Sequence, residues 1–419
     1  MSLQGPIIVV AEKPAAELVD ALSAAGGFPI VETNWADAPT AFAAVKPAAV
    51  IIAEPDEPPG DFARMLGLQV ATVNGPIVPV IARVAGDQDA ALAVALPADA
   101  ALPLERLIAR LSSALRVRAL HAEVLRRIDL FAAQGGKLPT LPAGDALDDA
   151  TVLIAGRGPL YPALSVAIGE RVNLVGAFSV EAAAKHLAAR DIDGVVIGDG
   201  FSPHRVEAFL TALAQDVRWR DIPVAIIGAT PPAFADSLSH IDHVSGDPQR
   251  ILPRLLPLVR LHAFQARLRR MMVSLDTDGM FDPDTGLLTH DNFRRDLEKA
   301  VAEAHDRSLA LSLARLSFDG LSRRGGMNAT RLMPRLVRNI DFAARAEDGA
   351  ILVAFTQTDL RSAHVVARRL AAALKNSLLA ARRPQDKLAA NVTLATLKAG
   401  DTPDSLVARV MGSRAVAAE

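Results

Sequence analysis

The 419-residue chain has no cysteine, one tyrosine and two tryptophans, and aromatic residues make up only 4% of it. Without thiols it can form no disulfide, no zinc–thiolate or iron–sulfur site and no cysteine nucleophile. Long apolar runs are lacking as well. The longest, such as Ala48 to Ala53, fall far short of the ~20 residues that span a bilayer, so no membrane insertion is expected. The opening stretch MSLQGPIIVVAEK has no basic start followed by a longer apolar run, so no secretory signal is read and a cytoplasmic location is expected.

What is present is mostly Ala, Leu and Val. With 51% hydrophobic and 22% charged residues, the chain can bury sizeable cores and is not a disordered one. At roughly 150 residues per domain its length predicts two to four domains. The net charge of −2 conceals an asymmetry. From Phe281 to Glu419 there are 21 Lys and Arg against 16 Asp and Glu, leaving 24 against 31 for the rest. A basic third on an acidic body predicts that this third meets an anion; the alternative is charge that is merely unevenly shared.

The first hundred residues alternate strand and helix signals. Pro6 to Val10, Ala48 to Ala53 and Pro76 to Ala82 read as buried strands, and Pro14 to Ala24 as a helix ending at Gly26-Gly27. Pro103 to Gln134 reads as one long helix, about 48 Å at 1.5 Å per residue, whose far end is expected to meet a partner. A linker is read at 136–149. The pattern then repeats with a period of ~145 residues. Strands fall at Ala150 to Ala155, Gly194 to Ile197 and Ile222 to Ile227, and a helix at about Pro257 to Ser274. The tail opens with a turn, Asp282-Pro283-Asp284-Thr285-Gly286. It runs on through helix, strand (Leu309 to Ala314), helix, strand pair and helix to a last strand at Asn391 to Leu397. The expected domains are 1–135, 150–275 and 276–419.

Each of the first two repeats resembles the response-regulator receiver family, a flavodoxin-like α/β fold on a five-stranded parallel sheet. The resemblance implies an acid pair after the first strand for Mg²⁺, an acceptor Asp after the third, Thr or Ser after the fourth and Lys-Pro after the fifth. The Lys and metal would neutralise phosphoryl oxygens. Only Glu12 remains of the first acid pair, and Ala155-Gly156-Arg157 replaces the second. Ala82 and Gly228 take the Thr/Ser places, and Asp247-Pro248 replaces Lys-Pro in the second repeat. Asp56 (with Glu54 near it) and Asp199 are the candidate phosphoacceptors, with ordinary loop carboxylates as the other reading. Both repeats are therefore expected to serve dimerisation or docking.

The tail resembles the GGDEF family, the diguanylate cyclases. Phe281 to Phe293 is similar to the family's D-x-L-T-G-L-x-N-R-x-x-F entry motif, with Asp282, Thr285, Gly286, Leu287 and Phe293 matching and Asp284, Thr289 and His290 departing. Arg338 to Ala346 is similar to the R-x-x-D-x-x-x-R-Y stretch that follows. Where GGDEF should stand, the chain has Glu347-Asp348-Gly349-Ala350-Ile351, and the preceding strand reads Ala314-Arg315-Leu316-Ser317-Phe318 where the family carries D-x-D-x-F. Two-metal phosphoryl transfer needs carboxylate ligands, so a degenerate domain (α+β, cyclase-palm-like) without cyclase activity, metal or cofactor is expected.

The family's R-x-x-D inhibitory site is retained in register as Arg338 and Asp341, and Arg369 falls at the spacing of its further Arg, with Arg368 beside it. The resemblance implies cyclic di-GMP as ligand. A guanidinium can bond guanine O6 and N7 or pair with phosphate, and a carboxylate can accept from guanine N1–H and N2–H. The other reading of Arg338 and Asp341 is an i,i+3 pair at a helix end. The receiver–receiver–GGDEF order resembles catalytically degenerate members that bind cyclic di-GMP and act in cell-cycle control. It implies delivery of CtrA, through RcdA, to the ClpXP protease at a cell pole. A homodimer is expected, and nucleic acid is not. A nucleotide-independent dimeric scaffold is the alternative. His240 with His243 is read as a loop pair rather than metal ligands, and Gly325-Gly326 as a plain turn.

Overall fold

The computed structural model describes residues 3–53, 75–84, 95–99, 102–133, 144–216, 218–219, 221–227, 240–244, 251–307, 309–319, 323–338, 340–379 and 389–412. The expectations for Glu54, Asp56, Gly228 and Asp247-Pro248 lie outside these residues.

The first unit runs β1 (Gln4–Val10), α1 (Ala16–Ala24), β2 (Phe28–Thr33), α2 (Ala38–Val45), β3 (Ala49–Ile52), β4 (Val80–Val84), β5 (Leu96–Asp99) and α3 (Leu104–Ala133). Its five strands are parallel in the order β2-β1-β3-β4-β5. Uniformly apolar strands such as Ala49–Ile52 are buried on both faces, as a helix-covered parallel sheet requires. The strand read at Pro76 to Ala82 begins instead at Val80. Pro76 and Pro79 have no N–H to give a ladder, and among the described residues only the Pro79 carbonyl, accepting from Val50 N–H at 3.0 Å, joins that stretch to the sheet.

The second unit repeats the plan. A 3₁₀ turn (Ala146–Asp149) leads into β6 (Thr151–Ala155), α4 (Tyr161–Gly169), β7 (Asn173–Ala177), α5 (Val180–Ala189), β8 (Gly194–Ile197), α6 (Pro203–Gln215), β9 (Val224–Ile227), β10 (Ile241–Val244) and α7 (Ile251–Asp276). The sheet order, β10-β9-β8-β6-β7, is the same winding as in the first unit. Both are the doubly wound order whose ligand crevice lies at the C-terminal ends of the first and third strands. The helix expected from Pro257 begins six residues earlier and carries Pro257 inside it. Only the bond to the Pro253 carbonyl is lost there, and the apolar face of the helix holds it together across that gap. The stretch read as a linker ends in the packed 3₁₀ turn, where Asp145 accepts from Leu147 N–H and Ala146 is buried.

The long helix does meet a partner, and the partner is in the same chain. Val117 and Val124 of α3 pack on Leu268, Met271 and Leu275 of α7 in one apolar cluster. Each helix also reaches the other unit. Leu258 of α7 joins the core of Leu107, Leu111 and Ala98. On α3, Ser113 lies 2.9 Å from Nε2 of buried His240, and Arg116 pairs with Asp221 at 2.7 Å. Burial, with Arg110 next, drives the His240 pKa well below its usual value, so this ring is neutral at the contact. His243 has no described side chain, and among the described residues no cluster suited to a metal occurs.

The third unit contains α8 (His290–Arg307), β11 (Leu311–Asp319), α9 (Arg323–Leu336), β12 (Phe342–Arg345), β13 (Ile351–Thr356), α10 (Leu360–Leu379), β14 (Ala389–Thr396) and α11 (Pro403–Gly412). Its antiparallel sheet has the order β12-β13-β11-β14. One face packs on α9 and α10 and the other on α8 and α11. Gly325-Gly326, read as a turn, lies in the first turn of α9 instead. Glycine costs most in a helix interior, and here the apolar Met327, Ala329 and Met333 anchor the turns that follow. The closing helix α11 has no counterpart among the elements read from the sequence. No described helix is long and apolar enough to cross a membrane.

Candidate functional site

The entry motif is a turn that secures the start of the third unit. The Asp282 carboxylate accepts from Asp284 N–H at 3.1 Å and from the Thr285 hydroxyl at 2.6 Å, while Gly286 N–H returns to Asp282 O at 2.7 Å. Gly286 has a φ of +72°, open to glycine and costly to most residues. Leu287 and Phe293 are buried anchors on either side. All five matching residues thus have structural tasks.

Arg338 and Asp341 follow α9 directly. Arg338 is exposed and lies beyond the helix end, and Asp341 N–H bonds Arg338 O at 3.0 Å, closing a four-residue turn. The two residues stand just beyond the last turn of α9, and the Arg338 charge acts on the Asp341 carboxyl. Asp341 is buried, and its Oδ1 accepts from the Thr356 N–H at 2.9 Å. Burial pushes the Asp341 carboxyl above its usual pKa, against the opposite pull of the Thr356 N–H and the Arg338 charge. Arg369 stands on the exposed face of α10, whose other face buries Ala363, Ala367, Leu370 and Leu374 on the sheet, and α10 packs beside α9. Among the described residues neither Arg338 nor Arg369 has an ion-pair partner, whereas Arg368 does interact. Exposed apolar Ile340, Leu360 and Val365 share these elements, and Val365 sits one helical turn before Arg369. Among the described residues the arrangement offers two guanidinia outside any salt bridge and one carboxylate whose Oδ2 has no hydrogen-bond partner, next to apolar surface.

The hairpin between β12 and β13 is different in kind. Ala346 N–H bonds Ala350 O at 2.8 Å, and Gly349, at φ +84°, closes the turn. Asp348 Oδ2 takes a 2.6 Å bond from Arg315 Nη2 of β11, and its Oδ1 accepts from Ala350 N–H. The bond to Arg315 holds the Asp348 carboxyl below its usual pKa. Ala314, Leu316 and Ala350 around this pair are buried and apolar. The Arg315 guanidinium thus faces the Asp348 carboxylate of the hairpin.

Asp199 follows β8 at the crevice end of the second sheet. Its Oδ1 is buried without a hydrogen-bond partner among the described residues, and its carboxyl lies against Gly158, where any Cβ would meet it at 1.9 Å. Arg157, whose N–H bonds Asp199 O at 3.1 Å, lies with its guanidinium over the Phe201 ring, 5.5 Å from the centroid. The Asp199 carboxyl is thus packed against the Gly158 backbone at the place where the receiver resemblance expects an acceptor.

Part of the positive charge of the basic third pairs with carboxylates of its own chain. From α9, Arg331 bonds Asp149 Oδ2 at 3.0 Å and Arg335 pairs with Asp191, both carboxylates belonging to the second unit. Arg267 of α7 bonds the same Asp149 oxygen at 2.8 Å. Burial lifts the Asp149 carboxyl, but the Arg331 and Arg267 charges outweigh it and leave it below its usual pKa. Arg270, which donates to Pro283 O at 2.9 Å, is pushed down to about 10 by burial, with Arg331 beside it. Sequence reasoning misses Thr356, the Arg315–Asp348 pair and this joint. Each joins residues far apart in the chain, and no short motif carries that signal.

No protein-family model matches the chain, and no curated protein matches it. Solved structures similar to it are GGDEF domains. The coiled coil and GGDEF domain of DgcB from Caulobacter crescentus, in complex with c-di-GMP, has 19% identity and a TM-score of 0.30 over 35% of this chain and 84% of that one. The diguanylate cyclase SiaD from Pseudomonas aeruginosa, in complex with its activator SiaC, has 20% identity and a TM-score of 0.28 over 39% and 69%. The FimX GGDEF domain from the same species has 18% identity and a TM-score of 0.27 over 32% and 90%. Identities this low transfer no function.

Proposed function

We propose that the chain is a cyclic di-GMP effector without cyclase activity, built from two pseudo-receivers and a degenerate GGDEF domain, of the kind represented by PopA. The observation that carries this reading is the Arg338–Asp341 turn. It keeps a guanidinium exposed and a carboxylate with one oxygen uncommitted, with Arg369 on the neighbouring helix. Arg338 and Arg369 would pair with phosphate or with guanine O6 and N7, and Asp341 Oδ2 would accept from guanine N–H groups. Val365 and Ile340 would lend apolar surface to the purines. At the hairpin, the Arg315–Asp348 pair supports the absence of catalysis, since a guanidinium fills the place of a divalent cation beside a carboxylate.

The wider role is an adaptor at a cell pole, acting as a homodimer in cell-cycle control and handing CtrA, through RcdA, to ClpXP. The two pseudo-receivers would supply docking rather than phosphotransfer, with Asp56 and Asp199 as ordinary carboxylates.

Isothermal titration of cyclic di-GMP into the full chain and into Arg338→Ala tests the core of the reading. Saturable binding in the wild type, weakened at least tenfold in the variant, is expected, together with no turnover of GTP and Mg²⁺. An absence of heat in the wild type would sink the effector reading in favour of a nucleotide-independent scaffold.

A further inference from the structure

We infer that Thr356 is the positioning residue of the Arg338–Asp341–Arg369 site, holding its turn through two separate donors and joined to the start of its helix through the Thr356 carbonyl. The inference rests on the ligand reading above for its functional meaning. Thr356 ends β13, on the side where β12 has not yet begun. Its N–H points at Asp341 Oδ1, at 2.9 Å, and its hydroxyl donates to the Ile340 carbonyl, also at 2.9 Å. One residue therefore fixes both the carboxylate and the main chain of the turn. The Arg338 main chain is tied to them as well, because Asp341 N–H bonds its carbonyl.

The same residue begins the connection to α10. The Thr358 hydroxyl bonds Thr356 O at 2.8 Å, and Gln357 between them has a φ of +50°, in the left-handed region. Buried Thr358 is tied to the start of β11, by its N–H to Ala310 O, one residue before the strand, at 3.1 Å and by its carbonyl, which accepts from the Ser312 hydroxyl at 2.9 Å. Asp359 then caps α10, its Oδ1 accepting from Ser362 N–H at 2.7 Å. A four-residue turn anchored on the central strand thus sets where both Asp341 and the helix carrying Arg369 stand. A left-handed non-glycine residue persists only where its surroundings over-determine it, as these bonds do.

The two donors can be removed one at a time. Thr356→Val deletes the hydroxyl and keeps the N–H; Thr356→Pro deletes the N–H, which serves Asp341 and no strand partner; Thr356→Ser keeps both. Cyclic di-GMP titration is expected to show affinity about threefold to tenfold weaker in Val and Pro, and near wild type in Ser. A carbon-detected NMR titration of Asp341 without ligand gives a second readout. Its carboxyl pKa is expected to rise further in Thr356→Pro and to stay nearer the wild-type value in Thr356→Ser. Since Asp341 must be ionised to accept from guanine, the pH at which binding reaches half strength is expected to move up in the Pro variant by the same amount. Wild-type affinity in both Val and Pro, or an unmoved Asp341 titration in Pro, overturns the inference. A wild-type chain that binds no cyclic di-GMP sinks the ligand reading instead, and the ligand-free titration still decides what Thr356 does.

Discussion

At the scale of single residues, the hairpin of the third unit is closed by a pairing of opposite charges. Here the engaged hairpin carboxylate, Asp348, is satisfied by Arg315 and by Ala350 N–H. Both side chains are partly open to water, so the pair is worth at most about 1 kcal/mol. Arg315→Ala is expected to lower stability by no more than that, while the Asp348 carboxyl returns upward toward the ordinary carboxylate range. Carboxyl NMR titration checks the shift, and an unchanged Asp348 titration would mean that Arg315 does not govern it.

At the scale of elements, α3 and α7 are the chief packing event of the first two units. His240 sits where α3 crosses the second unit, against Ser113 and near Arg110. Its folded pKa lies below 6.5 and its unfolded pKa near that value, so between the two the unfolded chain binds the extra proton. Stability is expected to fall as pH drops below about 6.5, with a slope from this ring of at most about 1.4 kcal/mol per pH unit. His240→Asn keeps a donor for Ser113 and should flatten that decline. Urea midpoints at several pH values read the difference, and identical slopes in both proteins would remove His240 from the account.

The elements also show which parts of the fold are legible in the sequence. Apolar runs such as Ile7 to Val10 and Ala49 to Ile52 can be read as buried strands because both of their faces are covered. The edge strand Phe28–Thr33, with Pro29 and Glu32 among half-exposed neighbours, gives no such run. Reading a helix start from proline succeeds at α3 and fails at Pro257, where tertiary packing outweighs the lost bond. At α11 the sequence does carry a signal: Thr402 accepts from Ser405 N–H just before Pro403, an N-cap with proline in the first turn. In the candidate site, the R-x-x-D spacing is legible because its residues share a turn. Thr356 is not, because a β-hairpin brings it across 15 residues.

At the scale of the whole molecule, the charge asymmetry becomes a joint. Two arginines that are nearly buried, Arg267 and Arg331, converge on Asp149, while Arg335 and Asp191 meet in water a few residues further along α9. Asp149→Asn removes the carboxylate on which both guanidinia converge, leaving them only the neighbouring charges of Asp145 and Asp284, and is expected to cost about 3 kcal/mol. Asp191→Asn, at the exposed pair, is expected to cost less than about 1 kcal/mol. Because the folded Asp149 pKa is depressed, its contribution is present above the ordinary carboxylate range and lost as pH falls below it. Denaturation of the two variants at neutral pH decides the ranking; equal costs would mean that burial does not set the strength of this joint.

The reciprocal packing of the two halves, α7 on the first and α3 on the second, has a consequence for how such a pairing can change over time. In an association between separate identical molecules, every substitution lands on both sides at once, and dilution dissolves the pair. Here each side is encoded by its own stretch of one polypeptide. Tethering keeps the local concentration of one side around the other high whatever the protein concentration. Ser113 can therefore meet His240, and Arg116 can meet Asp221, without any reverse copy of either contact being required.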